Sequence, residues 1–158
     1  MSATATLSLE LVGEQSTLDF GRRLGQVTQS RGRIFLYGEL GAGKTTLARG
    51  LLYGLGVEGK VKSPTYTLME IYNSNLGAIL HLDLYRLSEP EELEFLAIRD
   101  YCSENTLCLV EWPDRAAGFF PKADLEVHLG ILADRRLLRL YANGERGQAW
   151  CSALTGEG

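Results

Sequence analysis

The stretch Ile34-Phe35-Leu36-Tyr37-Gly38-Glu39-Leu40-Gly41-Ala42-Gly43-Lys44-Thr45-Thr46 decides the fold. Its first four residues are a short, wholly apolar run, which reads as a buried central strand. The next eight, Gly38 to Thr45, carry the spacing G-x-x-x-x-G-K-[ST]. That pattern is weak alone and strong when a strand leads in and a helix leads out. Both conditions hold, because Leu47, Leu51, Leu52 and Leu55 recur at helical spacing and Gly56 supplies a stop.

The chemistry of such a loop is specific. Glycines at 38, 41 and 43 let the backbone curl, so that successive N–H groups point at one polyphosphate. The helix that follows aims its positive dipole end at the same anion. Lys44 is placed to neutralise β- and γ-phosphate oxygens, the Thr45 hydroxyl to ligate Mg²⁺, and Thr46 to reach the α-phosphate side. The expected ligand is ATP with Mg²⁺, bound by Gly38, Gly41, Ala42, Gly43, Lys44, Thr45 and Thr46. The competing account, a glycine-rich turn with an exposed lysine, leaves the agreement of strand, glycines, Lys and Thr unexplained.

Outward from the loop, α and β signals alternate. Leu7, Leu9 and Leu11 alternate with polar residues and predict a half-buried strand. Ser16 or Thr17 is then suited to cap a helix carrying Leu18, Phe20 and Leu24. Tyr66 to Tyr72 and Ile79 to Leu84, separated by turn-forming Asn73 to Ala78, predict a β-hairpin. Ser88, Pro90 and Glu91 resemble a capping box that opens a helix through about Asp100. Leu107 to Glu111 reads as another buried strand. Leu125 to Leu132 and Leu137 to Tyr141, joined across Ala133 to Arg136, predict a second hairpin. The glycine-rich ending, residues 143–158, is expected to pack poorly.

A phosphate loop needs an acid at the end of a neighbouring strand to hold the metal. Asp83 and Glu111 both qualify, each following an apolar strand. Asp83 is the shorter acid and Glu111 has the cleaner strand before it; which one polarises water is open at this level. Lys44, Asp83 and Glu111 are the candidate catalytic residues, and Thr45, Asp83 and Glu111 the candidate metal ligands. His81 shares the strand face of Asp83 and reads first as a core histidine. Lone His128 reads as structural, and Trp112 suits either the site, a partner or plain core packing. Ser63, Thr65 and Thr67 around Pro64 offer hydroxyls where hydrolases of this kind often sense the γ-phosphate, or else form a polar turn. Arg86 either completes a charged site or pairs with nearby glutamates.

Composition bounds the rest. The chain has 158 residues, 45% hydrophobic and 23% charged, which suits one globular domain. A net charge of -4 disfavours a direct grip on nucleic acid, since phosphate contacts need clustered Lys and Arg. Cys102, Cys108 and Cys151 form no C-x-x-C pair, so reduced thiols are expected. No signal peptide is legible, and no run approaches the roughly 18 apolar residues of a spanning helix. The expectation is a cytoplasmic protein with no membrane partner.

Several motifs together resemble the TsaE family, the P-loop ATPase of bacterial tRNA threonylcarbamoyladenosine biosynthesis. They are Gly38 to Leu47, Val61-Lys62-Ser63-Pro64-Thr65-Tyr66-Thr67-Leu68, His81-Leu82-Asp83-Leu84-Tyr85-Arg86-Leu87, Pro90-Glu91-Glu92-Leu93-Glu94 and Val110-Glu111-Trp112-Pro113. The resemblance runs over roughly residues 14 to 129 and departs little; Glu39 stands where many members have Asp. It implies an α/β fold class: a single-domain P-loop NTPase-like fold over 1–158, with a mixed β-sheet flanked by helices. It implies that Thr45, Asp83 and Glu111 stand at the magnesium and catalytic acids. By the same resemblance Ser63 and Thr65 lie on a switch-like segment that meets the nucleotide, and Glu14 and Thr17 lie near the adenine. Such ATPases are weak. They act with a threonylcarbamoyl transferase subunit and its paralogue, of the TsaD and TsaB type, on adenosine 37 of tRNA, which this chain would touch only through the complex.

Two other classes compete. A small-metabolite kinase on the same scaffold needs an acceptor pocket and usually an arginine-bearing lid. The arginine pair Arg135-Arg136 is expected in a hairpin turn. A nucleotide-binding module without catalysis fits poorly with Lys44, Thr45, Asp83 and Glu111 all in place.

Overall fold

The computed structural model describes residues 5–59, 61, 68–89, 91–95, 98 and 105–156. In chain order the elements are β1 (Leu7–Val12), α1 (Glu14–Thr28), β2 (Gly32–Tyr37), α2 (Lys44–Gly54), β3 (Met69–Ser74) and β4 (Gly77–Asp83). Then come α3 (Glu92–Phe95), β5 (Thr106–Glu111), a 3₁₀ turn (Pro113–Ala116), β6 (Leu125–Leu132), β7 (Arg135–Ala142) and α4 (Glu145–Gly156).

One seven-stranded mixed sheet takes the order β1-β7-β6-β2-β5-β4-β3. The middle four strands, β6, β2, β5 and β4, run parallel, while β3 and the β7–β1 pair are antiparallel additions at the two edges. The central strands are apolar on both faces because both faces are covered. Ile34, Leu36, Ile79, Leu107 and Leu109 pack toward α1, α2 and α4. Leu80, Leu82, Cys108 and Val110 pack on the opposite side with Leu84, Leu87, Leu93 and Ile98. The two-residue period therefore sends His81, Asp83 and Glu111, in phase with Ile79, Leu107 and Leu109, to the face that carries α2.

α1 begins earlier than its sequence suggests. Glu14 opens it, and Gly13 (φ 86, ψ 156) stands at the N-cap without a side-chain cap bond. Ser16 and Thr17 are already inside the helix, and Thr17 is buried. The inward face is Thr17, Phe20, Gly21, Leu24, Gly25 and Thr28, so Leu18 lies off it. Small residues are needed there because α1 and α2 touch backbone to backbone. A Cβ on Gly21 would stand 2.4 Å from Leu47 O, on Gly25 2.3 Å from Leu51 O, and on Gly50 2.2 Å from Leu18 O. α2 stops as expected: Gly56 turns left-handed at φ 88, its N–H donates to Tyr53 O, and Val57 N–H donates to Leu52 O. That is a Schellman closure.

Other expectations shift. The first hairpin turns over Asn75 and Leu76, tighter than the sequence suggests. The capping acid near Ser88 is Glu92, whose Oε2 accepts the Ser88 N–H at 3.1 Å, not Glu91. The second hairpin turns over Ala133 and Asp134 alone, so Arg135 and Arg136 belong to β7. The expected poorly packed ending is corrected most: residues 145–156 are helical, and Trp150, Cys151 and Leu154 are buried in the main core. Glycine content obscured three apolar residues at helical spacing. Gly147 is one reason α4 seats so closely, since a Cβ there would stand 2.0 Å from Asp124 O. No helix among the described residues is long and apolar enough to cross a membrane.

Candidate functional site

The loop from Gly38 to Gly43 leaves the C-terminal end of β2 and delivers the chain into α2. Open parallel sheets bind ligands at that end of their strands. Gly38 (φ 153), Gly41 (φ 83) and Gly43 (φ 107) all take backbone conformations that side chains resist. Gly38 is also sterically required, because a Cβ there would lie 2.7 Å from Leu129 O. Ala42 N–H donates to Glu39 O at 3.1 Å and closes the turn.

Lys44 is buried at the first position of α2. Its Nζ donates to the Gly38 carbonyl and, at 3.1 Å, to the Glu39 carbonyl. It also lies 4.3 Å over the Trp112 ring, a cation–π contact. Burial pushes its pKa below the ordinary lysine value, while Glu111, Asp83 and Glu39 oppose that shift. Trp112 itself sits left-handed at φ 58, ψ 50 before Pro113, and its carbonyl accepts the Arg115 N–H at 3.1 Å. A bulky residue held in that region costs about 1–3 kcal/mol, strain of the kind that clusters at functional sites.

Asp83 and Glu111 are direct register partners at the ends of β4 and β5, and Glu111 also neighbours Leu36 of β2. Both acids are buried. Asp83 Oδ1 accepts the Tyr85 N–H at 3.1 Å. Glu111 Oε2 lies 2.7 Å from His81 Nε2, so His81 touches the site through Glu111 and is more than core filling. Together with Thr45, Thr46, Tyr85 and Trp112, these acids line a cleft of about 280 Å³ beside Lys44.

A second cleft, about 220 Å³, opens on the other side of the loop between Leu11, Glu14 and Thr17, the loop itself, and Asp134 to Arg136. Gly41, Gly43 and Thr46 border both clefts, so an extended ligand lying across the loop would occupy the two at once. Glu14 is largely exposed and lies 3.9 Å from Arg49. Thr17 faces Gly43, its Cγ2 3.7 Å from where a Cβ would stand. Ser63 and Thr65 lie outside the described residues.

The fold therefore brings together Gly38, Gly41, Ala42, Gly43, Lys44, Thr45, Thr46, Asp83 and Glu111, with Glu14 and Thr17 on the adjoining wall. Sequence reasoning missed three features. The His81–Glu111 contact was foreshadowed only by His81 sharing a strand face with Asp83. The Tyr85–Trp112 wall, with ring centroids 5.0 Å apart, joins residues far apart in sequence. Arg136 reaches the loop from β7, which no local pattern signals. His128 stacks on Tyr37 at 4.5 Å, outside both clefts.

Comparison with known proteins agrees with this architecture. The family model "Threonylcarbamoyl adenosine biosynthesis protein TsaE" matches residues 11–137. A Haemophilus influenzae protein named tRNA threonylcarbamoyladenosine biosynthesis protein TsaE is 43% identical over 155 residues, 95% of this chain and 98% of its own. A Bacillus subtilis protein of the same name is 35% identical over 123 residues, 77% of each chain. The crystal structure of Bacillus subtilis YdiB is similar with a TM-score of 0.77, at 26% identity and 98% coverage of both chains. The P-loop NTPase-like α/β fold is thus shared along the whole chain.

Proposed function

The chain belongs to the TsaE family of threonylcarbamoyl adenosine biosynthesis proteins, and on that premise we propose that it is a magnesium-dependent ATP-binding protein, slowly hydrolytic, that supports turnover of the t6A37 tRNA transferase complex. One observation carries the reading. A glycine loop, its lysine and two register-paired carboxylates border a single cleft at the carboxyl end of a parallel sheet.

The residues fit the ligands chemically. Loop amides and the α2 dipole suit a polyphosphate. Thr45 and Asp83 supply hard oxygen donors, and Mg²⁺ usually takes only one or two carboxylates while keeping waters. Thr45 and Asp83 would hold magnesium, which would supply positive charge to offset that of the phosphates. Lys44 would leave the Gly38 and Glu39 carbonyls and the Trp112 face for the more strongly attractive phosphate oxygens. Glu111, braced by His81 at 2.7 Å, would orient a water, leaving Asp83 and Thr45 to hold the metal. The cleft beyond the loop, walled by Glu14 and Thr17, would take the nucleoside.

Partners in this reading are the transferase subunit and its paralogue, with tRNA reached only through them; the family assignment favours this over a small-metabolite kinase. The test is phosphate release from ATP by the chain alone and with the purified transferase pair. The expected result is a rate changed by the pair and tRNA modification that requires Lys44 and Glu111. ATP affinity unchanged in Lys44→Ala by calorimetry would overturn the nucleotide site. Undiminished hydrolysis by Glu111→Ala in the assembled complex would overturn the assignment of the acid.

A further inference from the structure

The guanidinium of Arg136 spends its donors on main-chain carbonyls. Nε donates to Ala42 O at 3.1 Å, Nη2 to Gly41 O at 3.2 Å and Nη1 to Arg135 O at 3.1 Å. Two of those carbonyls belong to the phosphate loop, 94 and 95 residues away in sequence. The register puts Arg136 there: it pairs with Leu11 on one side and Ile131 on the other, and Leu11 points into the core that holds α1 and α2. Arg136 therefore projects from the same face as the loop.

The consequence follows from peptide geometry. No peptide bond in the described chain is cis. In a trans peptide the C=O of one residue and the N–H of the next point in opposite directions. An arginine holding Ala42 O on the β7 side turns the Gly43 N–H to the other side. Gly43 borders both clefts and sits at the N-cap of α2, where an inward N–H serves an anion. A glycine at φ 107 has little intrinsic preference for this orientation, so an external tether has something to decide. A rigid, always charged fork suits two adjacent carbonyls better than a single ammonium does.

We infer that Arg136 is a positioning residue of the phosphate loop, which holds the Gly41 and Ala42 carbonyls outward so that the Gly43 amide is presented to the ligand before it arrives. The binding consequence rests on the phosphate reading above; the ordering of the loop does not.

The test uses the full chain with Arg136→Met and Arg136→Lys. Amide exchange over residues 38–46 is measured without nucleotide, and ADP affinity by calorimetry. In Arg136→Met, loop exchange should rise and ADP affinity should fall by about tenfold each, as for losing one charge-assisted hydrogen bond, with exchange in β5 unaltered. Arg136→Lys, which keeps the charge without the fork, should fall between. Unchanged loop exchange in both variants overturns the inference, and so does weaker ADP binding with unchanged exchange, which would make Arg136 a direct ligand contact. Faster loop exchange with unchanged ADP affinity would keep the tether and overturn the presentation of the Gly43 amide, whereas a parent chain that binds no ADP would count against the phosphate reading instead. If Arg136→Met unfolds, the Arg136→Lys exchange decides.

Discussion

His81 Nε2 stands 2.7 Å from Glu111 Oε2, joining two buried side chains on adjacent parallel strands. The His81 Nδ1 atom, also buried, finds no hydrogen-bond partner among the described residues. A polar ring placed in the core for a single contact has that contact as its reason, because an unmet buried polar atom costs about 1–3 kcal/mol.

Replacing His81 with Ala leaves Glu111 buried without this partner, and should lower stability by about 1–3 kcal/mol. Hydrolysis in the assembled complex should fall in kcat while KM holds, since the loop and Lys44 are untouched. His81→Gln, which keeps an N–H at similar reach, should recover part of kcat. A raised KM with normal kcat would sink the bracing role.

The contact between α1 and α2 predicts a stability effect. Gly50→Ala adds a good helix former, worth about 1 kcal/mol on an exposed surface. Here the new Cβ would meet Leu18 O at 2.2 Å, and backbone cannot rotate away. Overpacking costs of about 1–3 kcal/mol or more outweigh that gain. A urea midpoint should drop for Gly50→Ala and Gly21→Ala, and stay put for Gly144→Ala, where a Cβ meets nothing within 4 Å. Equal midpoints would refute backbone-to-backbone packing.

Trp112 should report ligand binding. Lys44 Nζ rests 4.3 Å over its ring, and a phosphate that draws the ammonium away alters the field on the indole. Emission should change on adding ATP in the parent chain and in Trp150→Phe, whose lost ring is remote from the loop. Trp112→Phe should abolish the change. No change in Trp150→Phe, where Trp112 is the sole indole, would show that Lys44 does not move off this ring.

The C-terminal helix should be part of the cooperative fold. Trp150 packs on Gly32, where a Cβ would come 2.7 Å from the ring, and Arg23 Nη2 ties the Leu154 carbonyl at 2.5 Å. Trp150→Ala should cost about 3–5 kcal/mol, as for deleting a large buried side chain. Cys151 beside it is buried, and burial pushes its thiol pKa up, so little of the reactive thiolate forms. Iodoacetamide at about pH 8 should spare Cys151 in the native chain and label it faster in Trp150→Ala. Prompt native labelling, read by mass spectrometry, would show α4 to be loosely docked.

What the sequence determined by itself was local and periodic. Ile34 to Thr46 announced a strand, a glycine loop and a helix in consecutive residues, and the apolar strands before Asp83 and Glu111 placed each acid at a strand end. Those signals need only neighbours along the chain, so they survive without a fold. The tertiary structure decided what depends on residues far apart: that Asp83 and Glu111 are register partners, that His81 braces Glu111, and that Arg136 reaches across the sheet to Ala42. It also decided the ending, where scattered glycines read as a loose tail, yet Gly147 and Gly32 are the small surfaces on which α4 and Trp150 seat. A glycine carries no mark in sequence of whether its missing side chain makes room for motion or for a neighbour; only the neighbour's position settles that.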